Sequence, residues 1–243
     1  MKLDGRVALV TGAGKRVGRA IAEGLAARGA RIAVHYNASR AGADEIVAAI
    51  NAGGGAARVF HADLSDPDAP ARLVRDAAAS FGALDVLVNS ASHFLRAPLA
   101  TVTPAQWDQA FAVDLRAAFF ATQAAAAVMG ERGGVVINMA DHLTHERWPT
   151  LAVHGIAKAG VVQMTEALAA HLAPHVRVNA VAPGAVLPPD DASPANLDRL
   201  VRTTPLARIG SPEDVVQAIV YLIEADYVTG ETLVVDGGRR VRG

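Results

Sequence analysis

The chain has 243 residues, with 23 Lys and Arg against 24 Asp and Glu. That near-neutral balance, with the basic residues scattered, argues against nucleic acid or an anionic membrane as a partner. It has no cysteine, which excludes disulfides, thiolate metal sites and cysteine nucleophiles. The length supports a large core, and charges or turn residues interrupt every long apolar run, so neither a secretory signal nor a membrane span is expected and the chain reads as cytoplasmic.

The first predicted element is a strand over 6–10, an apolar run of the kind buried on both sheet faces. It enters Thr11-Gly12-Ala13-Gly14-Lys15-Arg16-Val17-Gly18. Val17, Ile21, Gly24, Leu25 and Arg28 then fall at helical spacing, predicting a helix from about Gly18. Glycines in such a turn let the backbone bend tightly and approach a large group, and the helix N-terminus offers N–H groups to a phosphate. A tight turn without a ligand is the plainer alternative. The order strand, turn, helix is the one the dinucleotide motif requires.

A second strand is predicted over 31–36, then a helix through Ile46 and Ile50 that stops at Gly53-Gly54-Gly55. A third strand covers 56–61 and ends in Ala62-Asp63-Leu64. The next helix carries Val74, Ala77, Ala78 and Phe81. A fourth strand over 84–89 leads into Ser90-Ala91-Ser92-His93-Phe94. A long helix runs from about Pro104, a favourable first-turn residue, to Met129. A fifth strand over 135–139, a helix from Leu151 to about Leu172 and a sixth strand over 176–181 follow. The stretch from Leu187 to Pro205 is proline-rich and reads as irregular. A last helix starts at Ser211-Pro212-Glu213-Asp214, with Val215, Ile219, Leu222 and Ile223 on one stripe, and a strand over 231–235 closes the sheet. Strict alternation predicts an α/β fold: one Rossmann-type doubly wound parallel sheet of about seven strands, helices on both faces, over 1–243 as a single domain.

In such sheets ligands bind at the carboxyl ends of the strands, where strand order reverses. That places residues 11–18, 35–40, 63–64, 89–94, 139–145 and 183–187 around one crevice. An NAD site carries an acid about 20 residues beyond the glycine turn. Here the second strand ends in His35-Tyr36-Asn37-Ala38-Ser39-Arg40, with no acid before Asp44. Lys15, Arg16 and Arg40 would attract a 2′-phosphate that a carboxylate would repel, which points to NADPH. Ordinary solvated cations are the alternative reading.

These pieces resemble the short-chain dehydrogenase/reductase family over essentially the whole chain. The resemblance is carried by the glycine turn at 11–18, Asp63-Leu64, Asn89-x-Ala91, the Lys158 segment, Val178-Asn179-x-Val181-x-Pro183-Gly184, Thr229-Gly230 and Asp236-Gly237-Gly238. Within the family the chain is similar to the pteridine (dihydropterin) reductase branch. Arg16 stands where most of the family has glycine, His35-Tyr36 with Ser39 resembles the branch's NADPH segment, and Asn89-x-Ala91-Ser92-x-Phe94 resembles its pterin-stacking stretch. The branch's usual basic residue is missing at Ala38. Asp141 occupies the position of the common catalytic serine. The resemblance implies that NADPH is held by the turn residues Gly12, Gly14, Lys15, Arg16, Val17 and Gly18 and by His35, Tyr36, Asn37, Ser39 and Arg40. It extends the cofactor site to Asp63, Leu64, Asn89, Ser90, Ala91, Lys158, Pro183, Gly184 and Val186. It implies a homotetramer, with a dimer as the alternative, and the apolar helix around 116–128 would suit such an interface.

The family's Tyr-x-x-x-Lys pair is replaced here by His154-Gly155-Ile156-Ala157-Lys158. A spacing of four keeps both side chains on one helical face. The interval from Asp141 to His154 matches that of the family, so His154 sits in the tyrosine slot, and Asp141, His154 and Lys158 form the candidate catalytic set. An imidazole is shorter than a phenol by very roughly ~2 Å, more than a hydrogen bond tolerates. Direct donation would need a shifted substrate or a water. Lys158 should lower the His154 pKa and a close Asp141 should raise it. Reduction of a carbonyl builds negative charge that Asp141 would repel, whereas reduction of C=N passes through a cation that it stabilises. Ser92, Phe94, Asp141 and His154 are the candidate substrate residues, with a substrate ring on Phe94; a core position for Phe94 is the alternative. Asp114 reads either as a partner of Lys158 or as an exposed acid. His142, His145, His171 and His175 read as surface or capping residues, and no metal site is expected. The reading is an NADPH-dependent reductase of a dihydropterin-type or other C=N acceptor. The alternatives are a carbonyl reductase of the same family and a catalytically impaired NADP(H)-binding protein.

Overall fold

The computed structural model describes residues 1–142, 148–188 and 192–241. Seven parallel strands form one sheet in the order β3-β2-β1-β4-β5-β6-β7. They are β1 (Val7–Val10), β2 (Arg31–Tyr36), β3 (Ala57–His61), β4 (Val86–Asn89), β5 (Gly134–Met139), β6 (Val176–Pro183) and β7 (Thr232–Val235). The chain winds outward from β1 to β3, then returns to lay β4 on the other side of β1. Val10 is therefore paired with Val34 on one side and Val88 on the other. This reversal is the doubly wound arrangement expected from the alternation of elements.

Helices α1 (Arg16–Ala26), α2 (Arg40–Ala52) and α8 (Pro212–Glu224) cover one face of the sheet. Helices α3 (Ala69–Phe81), α5 (Ala117–Met129) and α6 (Ala152–Leu172) cover the other. Strand β1 shows why an unbroken apolar run is needed. Ala8 and Val10 point into a core with Ile21, Leu25, Ile219 and Leu222. Val7 and Leu9 point the opposite way, onto Leu73, Val74, Ala121 and Ala125. Burying each of these larger side chains contributes roughly 1.5–3 kcal/mol.

Three segments depart from the sequence reading. Helix α1 begins at Arg16, two residues earlier than expected, and Arg16 itself is left-handed at φ 53°. The single helix predicted over 104–129 is α4 (Pro104–Phe111), a π-helical turn (Ala112–Arg116) and then α5. Thr103 caps α4 by accepting from the Gln106 N–H. The proline-rich stretch contains a further helix, α7 (Pro194–Arg202), capped by Ser193 with Pro194 in its first turn. Its flanking prolines disguised a cap and first-turn signal that was present.

One helical stretch, Pro104–Arg132, is long and apolar enough to cross a membrane by length and composition, contrary to expectation. Its apolar character is largely alanine, and Ala117, Ala121, Ala125 and Met129 pack against the sheet.

Candidate active site

The crevice opens at the carboxyl ends of β1 and β4. Thr11 Oγ1 accepts from the N–H groups of Ser90 and Ala91, at 2.9 and 3.0 Å, tying the two strand ends together. The Gly12 N–H donates to His35 Nδ1 at 3.0 Å and the Ala13 N–H to the His35 carbonyl at 2.8 Å. His35 Nε2 lies 3.1 Å from the Ala62 carbonyl. One ring nitrogen must accept and the other donate, so these partners select the neutral Nε2–H tautomer. Burial lowers the His35 pKa to about 4. The sequence reading sets His35 at the cofactor; in the structure its ring is enclosed beneath the turn and braces it. Gly12 is left-handed, and a Cβ there would lie 2.8 Å from Ala91 Cα. On Gly14 a Cβ would run into Ser39, and on Gly18 into the Gly12 carbonyl.

Helix α1 starts without a side-chain cap and without an acid in its first turn, whereas α4, α7 and α8 are capped by Thr103, Ser193 and Ser211. Its positive end, with Lys15 and Arg16 exposed and Val17 partly exposed beside it, is suited to an anion. The donor chemistry therefore fits a dinucleotide phosphate. The second basic position is more committed. Arg40 Nε pairs with Asp44 at 2.7 Å, and its Nη1 donates to the Tyr36 hydroxyl at 3.1 Å. Asn37 is exposed and Ser39 partly exposed next to it. Asp63 accepts from the Ser65 N–H and hydroxyl, which hold its carboxyl below the usual range, and Leu64 is buried in the wall.

On the far side of the crevice, Gly184 donates its N–H to the Val235 carbonyl at 2.8 Å, and Val186 is buried. Arg16 reaches across and donates to the Leu187 carbonyl at 2.6 Å. Asn89, also expected at the cofactor, has inward partners. Its amide N–H₂ donates to Asn138 Oδ1 at 2.9 Å and lies 3.2 Å from Thr122 Oγ1, and Asn138 in turn donates to Thr165. Asn89 thus turns inward between β4 and β5, where a buried amide must find partners, and supports the floor.

The reactive cluster is assembled from four places in the chain. Helix α6 carries His154 and Lys158 one turn apart, the end of β5 leads to Asp141 and His142, the π turn carries Asp114, and the segment after β4 carries Ser92 and Phe94. Lys158 Nζ donates to the Met139 carbonyl at 2.7 Å and lies 3.9 Å from Asp114 Oδ1. That same oxygen accepts the His93 N–H at 2.9 Å. His154 stands between two carboxylates. Its Nδ1 is 3.4 Å from Asp114 Oδ2 and its Nε2 is 3.3 Å from Asp141 Oδ2. The other Asp141 oxygen is 3.0 Å from His142 Nδ1, which also lies 3.1 Å from the Pro183 carbonyl. Phe94 meets the His154 ring edge-on, with centroids 4.8 Å apart.

Burial pushes the His154 pKa down, and Lys158 adds to that, but the paired Asp114 and Asp141 outweigh both, so the net direction is up. Burial would raise the Asp114 pKa, yet Lys158, His154 and Ser92 together hold it low. The cluster thus sets Lys158 and His154 among the carboxylates of Asp114 and Asp141, the pairing under which buried charge is tolerated.

Asp114 is not an exposed acid. It pairs with Lys158, as one reading had it, and also with His154, which the sequence reading missed. The available signal was that Asp114 is the only acid between Asp108 and Glu131 in an apolar helix. His142 lies on the crevice wall and not on the surface, drawn in by Asp141 and the Pro183 carbonyl. Phe94 is 55% exposed and so is not a core aromatic. His171 and His175 are exposed, while His145 lies outside the described residues.

Fold and crevice together are those of a Rossmann-type NAD(P)-dependent oxidoreductase. A family model described as enoyl-(acyl carrier protein) reductase matches residues 12–240. The chain belongs to the short-chain dehydrogenase/reductase family. An uncharacterized oxidoreductase of Methylorubrum extorquens is 40% identical over 247 residues, covering 98% of this chain and 99% of that protein. A 3-oxoacyl-[acyl-carrier-protein] reductase of Synechocystis is 36% identical, covering 97% of each. Among solved structures, FolM alternative dihydrofolate reductase 1 from Brucella canis, complexed with NADP, superposes with a TM-score of 0.93. It is 32% identical, covering 100% of this chain and 96% of that one.

Proposed function

We propose that the chain is an NADPH-dependent reductase of a C=N acceptor of the dihydropterin type. The observation that carries the reading is the placement of Asp141. Its side chain is 21% exposed, between the crevice and a His154 side chain that is 2% exposed. A substrate nitrogen entering over Phe94 meets this carboxylate before the imidazole. When bound, NADPH supplies the hydride that reaches the substrate carbon. The protein supplies the proton: the Asp141 carboxylate stabilises the iminium-like cation, receives a proton from the His154 imidazolium and hands that same proton to the substrate nitrogen. A new N–H bond forms, neutral imidazole remains, and solvent restores its proton. Lys158 holds Asp114 and the strand end in place during the transfer.

The same carboxylate opposes carbonyl reduction. A developing oxyanion about 4 Å from it would be repelled by ~4 kcal/mol at an effective dielectric of 20. The end of β2 carries no acid before Asp44, and Lys15 and Arg16 are exposed beside the glycine turn; this supports NADPH over NADH. The Brucella canis relative, named an alternative dihydrofolate reductase and complexed with NADP, is consistent with this reading.

The test is initial-rate NADPH oxidation with dihydropterins and dihydrofolate beside a panel of ketones and 3-oxoacyl thioesters. Turnover of the C=N acceptors, with NADPH preferred over NADH, is expected. Efficient turnover of the carbonyl compounds alone overturns the substrate assignment. NADPH binding by fluorescence with no turnover of any acceptor overturns the enzyme assignment. Self-association is part of the proposal: Phe119 and Phe120 of α5 are partly exposed beside Leu115 and Met164 in an open apolar groove. Light scattering is expected to report a homotetramer.

A further inference from the structure

We infer that Asp114 is the positioning residue of the proton donor: its carboxylate, turned into the floor by the π-helical turn, fixes the His154 ring as a doubly hydrogen-bearing imidazolium in the slot that a tyrosine fills in relatives. The chemistry rests on the reading above, but the protonation state it requires does not.

Geometry leaves the ring little choice. Asp114 Oδ2 and His154 Nδ1 are both buried, neither makes a hydrogen bond among the described residues, and they stand 3.4 Å apart within ion-pair reach. On the opposite edge Nε2 faces Asp141 Oδ2 at 3.3 Å. Both ring nitrogens therefore look at carboxylate oxygens, which only accept. A neutral imidazole would turn a lone pair toward one of them. The cation alone offers a hydrogen to each. An asparagine at 114 could turn its amide N–H toward Nδ1 and accommodate a neutral ring; a carboxylate cannot. The wider turn at 112–116 is a helix irregularity of the kind that recurs at functional sites.

Among the described residues, the groups facing the imidazole are these. Asp114 comes from the π turn, Asp141 follows β5 with His142 on its outer oxygen, Lys158 lies one turn along on α6, Ser92 sits beside Asp114, and the Phe94 ring covers one edge. Of these, only Lys158 opposes the charge strongly. It is itself engaged by the Met139 carbonyl and Asp114.

The experiment is a pH titration of the full chain labelled with ¹⁵N-histidine, followed by long-range ¹H–¹⁵N correlation, with the His154 signals assigned from a His154→Gln variant. In the wild type, both His154 ring nitrogens are expected to carry hydrogen at pH 7 and to titrate above the ordinary imidazole value of about 6.5. In Asp114→Asn the midpoint is expected to fall by about one pH unit or more. The alkaline limb of kcat should move down with it while KM changes little. An unchanged His154 midpoint in Asp114→Asn overturns the inference. If that variant does not fold, the wild-type spectrum decides alone: a neutral His154 ring at pH 7 overturns it, and the cation supports it. An imidazolium that depends on Asp114 in a protein that turns over no acceptor would uphold the inference while ending the enzymatic reading.

Discussion

The Gly12 N–H donates to His35 Nδ1 at 3.0 Å across 23 residues of sequence, so the first turn of the crevice hangs on an imidazole that must remain neutral. Protonating Nδ1 removes the acceptor and places a charge in the core. The folded-state pKa of about 4 lies below the ordinary 6.5. His35 therefore contributes stability that is fully present above pH 6.5 and is lost as pH falls through about 4. The difference is on the order of 3 kcal/mol.

Thermal melts of wild type and His35→Gln from pH 4 to 7.5 check this. The variant is expected to be less stable at pH 7, with the gap closing toward pH 4. A gap that stays constant across that window contradicts it. Because His35 holds the glycine turn, NADPH affinity should fall in the same variant.

Arg16 carries a left-handed backbone and reaches over the crevice to the Leu187 carbonyl. A glycine there would relax the backbone and delete the cation. Arg16→Gly is therefore expected to melt at the same temperature or higher, yet to bind NADPH roughly tenfold more weakly, a loss of about 1.4 kcal/mol. Fluorescence titration with NADPH and NADH should show the loss concentrated in NADPH.

Lys158 is buried, with its ammonium on the Met139 carbonyl and near Asp114. Lys158→Met leaves a buried carboxylate without its cation on that side. A loss of roughly 3–5 kcal/mol in chemical denaturation is expected, together with loss of turnover. A variant as stable as the wild type would mean that the ammonium is not what balances Asp114.

Phe94 is more than half exposed and touches the His154 ring by its edge. Phe94→Ala should change stability by no more than about 0.5 kcal/mol. It should raise KM for a ring substrate several-fold while leaving KM for NADPH unchanged. A stability loss typical of a core aromatic would contradict the surface placement.

The architecture was readable because its signals are local. Apolar runs such as residues 7–10, the glycine turn, and stripes such as Val215, Ile219, Leu222 and Ile223 repeat at the period of the element that they form. Where local rules compete, the reading slipped. Proline flanks hid α7, and nothing in residues 104–129 marked the π turn that aims Asp114. In the crevice, the neighbourhood of His154 and Lys158 was legible from their spacing, and that of Asp141 and His154 from the resemblance. The directions of His35 and Asn89 were not, since a residue at a strand end can point to the crevice or to the core.

Sequence alone was sufficient for the order of strands and helices, the glycine turn on a helix start, and the placing of an imidazole and an ammonium on one face of a helix. Only the tertiary structure decided what that imidazole faces. Asp114 and Asp141 stand 40 and 13 positions before His154, and pairing across such distances depends on how helices pack on a sheet. The physical reason is that a ring's charge is set by its neighbours in space, and those are chosen by the fold.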